Sequence, residues 1–206
     1  VLDISSGEKL VTYKGHSTEI ICFAFVPGDH FIISVSRGSQ VKIWNTKNGK
    51  EARFFSRHDQ MVNCCQFSAD NQYVFSASSD NVIKRWDART GKLLNTYSGH
   101  EGKIKHCAVS SDGSRLISAG DSRNIVIWDV TSSKIVRTLS KHWREVNCCA
   151  FSRGSKTIIS ASNDSYLKIW DAESGKKICE LNANQRALNY CCFSPDGKYI
   201  LAASYD

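Results

Sequence analysis

Two sets of residues are of the types that nucleophilic catalysis uses. His58, Ser76 and Asp80 supply an imidazole, a hydroxyl and a carboxylate, and His142, Ser160 and Asp164 supply them again. In a serine hydrolase the imidazole takes the proton of the attacking hydroxyl, and the carboxylate orients the ring. The duplication argues against that use, because an active site is not normally copied along a chain. Neither serine comes with an oxyanion-binding element of its own. Zinc is the other chemistry to weigh, with His58 beside Cys64 or Cys65 and His142 beside Cys148 or Cys149. A structural zinc site needs four converging ligands. Neighbouring side chains on a strand point to opposite faces, and the nine cysteines include no C-x-x-C pair. A glycine-rich phosphate loop is also missing. No catalytic residue, metal site, cofactor or small-molecule substrate is therefore expected.

The elements that would position these residues come from a repeat. Trp44, Trp86, Trp128 and Trp170 follow one another at steps of 42, and so do His16, His58, His100 and His142. The phase runs on to Asn184 and back to Leu2-Asp3. Within the unit that holds Trp86, residues 61–67, 73–77, 82–86 and 92–97 read as strands, separated by turns rich in Ser, Asp, Asn and Gly. Gly7, Gly49, Gly91 and Gly175 fall in phase in the last of these turns, where Ser133 stands in one unit. A lone four-stranded sheet would leave two apolar faces in water. Sheets stacked radially bury those faces and keep only short edges. A period near 40–45 with G-H and W-D marks is the signature of that arrangement.

The motifs Gly15-His16 with Trp44-Asn45 and Gly99-His100 with Trp128-Asp129 carry a family resemblance. Arg57-His58 with Trp86-Asp87 and Lys141-His142 with Trp170-Asp171 carry it without the glycine. Along its whole length the chain resembles the WD-repeat (tryptophan–aspartate repeat) β-propeller family. The resemblance implies an all-β fold of four-stranded antiparallel blades, at about 20–56, 62–98, 104–139 and 146–181. Residues 1–14 and 188–206 would be partial blades, the first being the last two strands of a preceding blade. Family propellers have seven or eight blades, and seven units of this length exceed the 206 residues present. A fragment of a longer propeller is expected; closure as five blades is the alternative.

The resemblance also assigns roles. His58, Ser76, Asp80 and Trp86 take the positions of a buried hydrogen-bonded tetrad, as do His142, Ser160, Asp164 and Trp170. His16, Ser34 and Trp44 form a partial tetrad with Gly38 in the acidic position. His100, Ser118 and Trp128 form another, with Ser122 there and Asp121 one place early. Partners of the family often dock on the face around the central channel. In phase, that face receives Glu19, Ile21 and Arg37, then Met61, Asn63 and Ser79. Lys103, Lys105 and Asp121 follow, then Glu145, Asn147 and Asn163, with Ala187, Asn189 and Tyr205 in the last unit. Trp86-Asp87-Ala88-Arg89 matches a W-D-x-R box that some members use to contact the adaptor of a cullin-RING ubiquitin ligase, which makes Arg89 a candidate contact. Trp143, directly after His142, is either an exposed anchor or a cover for a blade edge.

Composition narrows the rest. Hydrophobic content of 41% and charged content of 23% describe a globular chain. No apolar run is long enough for a membrane helix, and the first residues are not those of a secretory signal. Adjacent cysteines on strands read as small buried hydrophobes of a reducing compartment, so either the true start of the chain is missing or the chain is expected inside the cell, in cytoplasm or nucleus. The net charge of +7 is spread along the chain without a basic block. The candidate face is mixed in sign, whereas nucleic acid would favour a basic stripe with stacking aromatics. The expected function is a non-enzymatic scaffold for protein or peptide partners in a complex. Substrate recognition for a ubiquitin ligase is the first alternative, and a nucleic-acid-associated propeller the second.

Overall fold

The computed structural model describes residues 3, 5–25, 31–55, 58–182 and 186–204, and all of its regular elements there are β-strands. Among these residues no helix is long and apolar enough to cross a membrane. The first sheet holds β1 (Ile20–Phe25), β2 (Phe31–Ser36), β3 (Val41–Asn45) and β4 (Glu51–Phe54). The second holds β5 (Val62–Phe67), β6 (Tyr73–Ser78), β7 (Ile83–Asp87) and β8 (Leu93–Tyr97). β9 (Ile104–Val109), β10 (Arg115–Gly120), β11 (Asn124–Asp129) and β12 (Ile135–Ser140) make the third. β13 (Val146–Phe151), β14 (Thr157–Ser162), β15 (Tyr166–Asp171) and β16 (Lys177–Asn182) make the fourth. β17 (Leu188–Phe193) and β18 (Ile200–Ser204) pair as a two-stranded sheet. Strands follow chain order across every sheet, and each pair is antiparallel. This is a propeller-like stack of antiparallel blades.

Burial follows position in the sheet. The second strands FIISVS, YVFSAS, RLISAG and TIISAS are buried at every residue but the first. Side chains on both of their faces are buried, so these strands run apolar into small residues instead of alternating apolar with polar. The outer strands β12 and β16 are mostly exposed. The core is a series of slabs between consecutive sheets. Ile33, Val35, Val41 and Ile43 meet Val62, Val74 and Trp86 between the first two sheets. Tyr97, Phe75 and Ile83 meet Leu116 and Trp128 in the next slab, and Ile117, Ile125 and Leu139 meet Ile158 and Trp170 in the third. Each of these tryptophans closes its own sheet against the one before it.

The cysteines obey the same geometry. Cys64 belongs to the slab toward the third sheet and Cys65 to the slab toward the first. Cys148 and Cys149 are likewise split between opposite faces. All nine are free thiols. Among the described residues, no three His, Cys, Asp or Glu side chains converge as metal ligands.

The turn between third and fourth strands is built the same way each time. In the second sheet Asp87 N–H donates to Lys92 O, Gly91 N–H donates to Asp87 O, and the Asp87 carboxylate accepts from Thr90 N–H at 2.6 Å. Gly49, Gly91 and Gly175 have φ of 70°, 75° and 71°, a region that suits a residue without Cβ, while Ser133 holds φ 59° in the third sheet. Asp3, Gly7 and Glu8 make an in-phase copy: Asp3 N–H donates to Glu8 O, and Gly7 N–H to Asp3 O. The described residues of 1–14 do not form the two strands expected there. Among them only Lys9 makes a β-bridge. A strand gains its ladder only beside a sheet neighbour, and the described residues of this segment have none beyond that bridge.

Candidate functional site

The repeated His–Ser–Asp sets lie at one end of their sheets, each tied to its tryptophan. In the second sheet Trp86 Nε1–H donates to Ser76 Oγ at 2.8 Å, and His58 Nε2 lies 2.7 Å from the same hydroxyl. His58 Nδ1 is 2.8 Å from Asp80 Oδ2, which also accepts from Asp59 N–H. The fourth sheet repeats this with Trp170, Ser160, His142 and Asp164 at 2.9, 2.7 and 2.7 Å, and Trp143 N–H donates to Asp164. A neutral imidazole fits each chain: it accepts from Ser O–H and donates to the carboxylate.

The ionisation is consistent with that. Burial lowers the His58 pKa more than Asp80 raises it. Burial also opposes ionising Asp80, but His58, Ser78 and the Val82 N–H together keep its pKa below the usual range. Asp164 is held at about 2, because its bonds from His142 and the Trp143 N–H outweigh burial. Ser76 and Ser160 are 0% exposed and each already accepts from an indole N–H. Each set is thus a buried, satisfied hydrogen-bond network that braces its own blade.

The partial sets are held less completely. Trp44 Nε1–H donates to Ser34 Oγ at 2.6 Å, and His16 Nε2 lies 2.7 Å from that oxygen. With Gly38 opposite, His16 Nδ1 is buried without a hydrogen-bond partner among the described residues. In the third sheet the ring is turned over: His100 Nδ1 faces Ser118 Oγ at 3.0 Å, and Nε2 faces Ser122 Oγ at 3.0 Å. Trp128 Nε1–H completes it at 2.9 Å. Burial drops the His100 pKa to about 4, outweighing the nearby Asp121 charge, which makes no hydrogen bond to the ring.

The candidate face gathers at the same end, three residues to a sheet. Arg37 N–H donates to Glu19 O, Ser79 N–H to Met61 O, Asp121 N–H to Lys103 O and Asn163 N–H to Glu145 O. Side chains then differ: Arg37 pairs with Glu19 at 3.0 Å, Asn63 donates to Ser79 at 3.0 Å, and Lys105 meets Asp121 at 3.3 Å. Asn147 donates to Asn163 at 2.6 Å, and Asn163 donates to Glu145 at 2.9 Å. That bond, helped by the Lys105 and Arg123 charges, lowers the Glu145 pKa. Ile21 and Met61 are exposed. Tyr205, Arg57 and Asn184 lie outside the described residues.

Sequence reasoning missed the links between sheets. Asn63 Nδ2 donates to Ile104 O at 2.7 Å, Lys105 Nζ to Asn147 Oδ1 at 3.2 Å, and Asn147 Nδ2 to Leu188 O at 2.9 Å. These side chains seam neighbouring blades as well as facing solvent. The recurrence of Asn at 63, 147 and 189 was the available signal. Arg89 is exposed on the turn between β7 and β8, at the opposite end of the sheet.

Residues 17–205 match the family described as nucleolar protein 10-like, N-terminal domain. The chain belongs to that family. It is a β-propeller family, in agreement with the stacked four-stranded sheets. No curated protein matches the chain. Nothing in the family match speaks for a ligase-adaptor contact at Arg89.

Proposed function

We propose that this chain is a WD-repeat propeller that works as a non-enzymatic scaffold, holding a protein or peptide partner on the face that runs from Glu19 to Asn163. The observation that carries this reading is the contrast within each sheet. The Trp–Ser–His core and the turns recur with little change. The face above them changes from an Arg–Glu pair to amides to a Lys–Asp pair. Constant packing under individual surface chemistry is what selective recognition needs. Mixed sign and seamed amides favour a polypeptide over nucleic acid, and burial of the repeated serines favours binding over catalysis. The family is named for a nucleolar protein, and the scaffold is accordingly read as part of a nuclear complex.

Photo-crosslinking tests the face directly. A benzoylphenylalanine at Met61 should capture the partner, and one at Arg89 should not. Lys103→Glu with Lys105→Glu should reduce capture at least tenfold, and Lys103→Glu alone should weaken it while leaving the unfolding midpoint unchanged, since Lys103 is exposed. Capture from position 89 alone, or capture indifferent to both reversals, would overturn the assignment.

A further inference from the structure

The groove between the third and fourth sheets differs from its neighbours. It encloses about 470 Å³ and runs from the loops at one end down to the outer strand β16. Trp143 stands at its rim with 75% of its surface exposed, whereas the other four tryptophans are at most 2% exposed. Arg123 and Lys141 are exposed on the facing loops, and Lys168 and Lys177 line the floor. Glu180 is the one carboxylate in the lining, and two ammonium groups already share it: Lys177 at 2.5 Å and Lys168 at 3.6 Å. Arg123 and Lys141 form no ion pair among the described residues. The groove thus carries a surplus of positive charge beside an exposed indole.

The repeat itself supplies the comparison. One step of 42 back, in the groove between the second and third sheets, Asn81 replaces Arg123, Gly99 replaces Lys141, and Glu101 replaces Trp143. Val126 and Ile135 take the places of Lys168 and Lys177 there. Asp80, the tetrad acid of the second sheet, has become Ser122 in the third, which removes a carboxylate from the loop that borders the groove. Arg123 is held at φ 65°, a conformation that costs a side-chain-bearing residue energy and that glycine or asparagine fills more easily. Together these changes replace acid or neutral groups with cations and set an aromatic at the edge.

The geometry points to a second docking site in this groove, for an anionic peptide segment that carries an aromatic or large apolar side chain next to its acidic groups. The apolar side chain lies on Trp143, a residue type that dominates binding hot spots. The anionic oxygens meet Arg123 and Lys141, the former able to chelate two oxygens at once. Carboxylate and phosphate share that chemistry. A nucleic-acid strand fits less well, because successive bases need several stacking aromatics and the groove offers one. This site borders the channel face, since the Arg123 charge reaches Glu145, but it has its own lining and is tested by its own variants.

The test uses the full chain with fluorescein-labelled decapeptides: one rich in Asp and Glu around a central Phe, one with phosphoserines in place of the acids, and one rich in Lys. An oligouridylate is the fourth ligand. Because the other tryptophans are buried, iodide quenching of fluorescence reports mainly on Trp143. Either anionic peptide should bind at least tenfold more tightly than the Lys-rich one, weaken as salt is raised, and shield Trp143 from iodide. Tighter binding of the phosphopeptide would identify phosphate as the preferred source, and equal or weaker binding would identify carboxylate. Trp143→Ala and, separately, Arg123→Glu with Lys141→Glu should each cut affinity at least tenfold while Lys103→Glu does not. Failure of both anionic peptides to outbind the Lys-rich one, indifference to both groove variants, or Trp143-dependent binding of the oligouridylate alone would overturn the proposal.

Discussion

Replacing one acidic residue changes how a blade responds to acid. His58 and His142 each have a carboxylate partner, whereas His100 faces only the Ser118 and Ser122 hydroxyls. The native protein holds His100 neutral down to about pH 4, while the unfolded chain protonates it near the usual 6.5. Its contribution to stability is therefore present in full above pH 6.5 and lost as pH falls to about 4. That loss is on the order of 3 kcal/mol at the limit. Asp164 behaves differently: its pKa of about 2 preserves its contribution until the pH drops below the ordinary carboxylate range. Ser122→Asp should give His100 a partner, raise its pKa in an NMR titration, and make stability less steep between pH 6.5 and 4.5 than in the parent. Denaturant melts across that range that show identical slopes for the two proteins would refute this account.

At the level of the strand, the third sheet has diverged at a second place. Ser36, Ser78 and Ser162 end the second strands of the other whole sheets, and Gly120 ends β10. Ser162 Oγ donates to Glu145 O at 2.8 Å, and Ser78 Oγ to Gln60 O. In the third sheet the backbone has moved into that space: a Cβ on Gly120 would lie 1.9 Å from Lys103 O. Gly120→Ala must push the Lys103 carbonyl away at the bulge and should cost roughly 1–3 kcal/mol, by analogy with overpacking a filled core. Gly154→Ala, with nothing within 4 Å of the new carbon, is the control. Equal unfolding midpoints for the two variants would mean that the β9–β10 junction is softer than its geometry implies.

Across the whole molecule, the two ends of the stack are apolar. Phe23 is 66% exposed on the first sheet, and Tyr199 71% exposed on the last. Ile20, Phe23, Ile32 and Trp44 line a cavity of about 540 Å³ on the first sheet's outer side. Exposed sheet faces and incomplete edges attract other chains. Light scattering on the 206-residue chain should therefore read above the 23.0 kDa monomer mass at high protein concentration. Phe23→Lys with Leu201→Lys should bring it back toward that mass. A monomer at every concentration would mean that the end faces satisfy one another within one chain.

The period was legible because it rests on local chemistry. A four-stranded blade needs its tryptophan, its turn residues and its small second strand at fixed intervals, and a step of 42 records all of them. The Trp–Ser–His grouping could be read from phase for the same reason. Tertiary structure alone decided the rest. That Lys103 O fills the room of a missing side chain at Gly120, that His100 presents Nδ1 to Ser118, and that Asn63 and Asn147 stitch one blade to the next all depend on distances between backbones. No single residue type encodes those distances. The groove beside Trp143 is of the same kind. Its cations come from two loops and two strands on neighbouring sheets, scattered from 123 to 177 in the chain, and only the stacking of the blades brings them beside one indole.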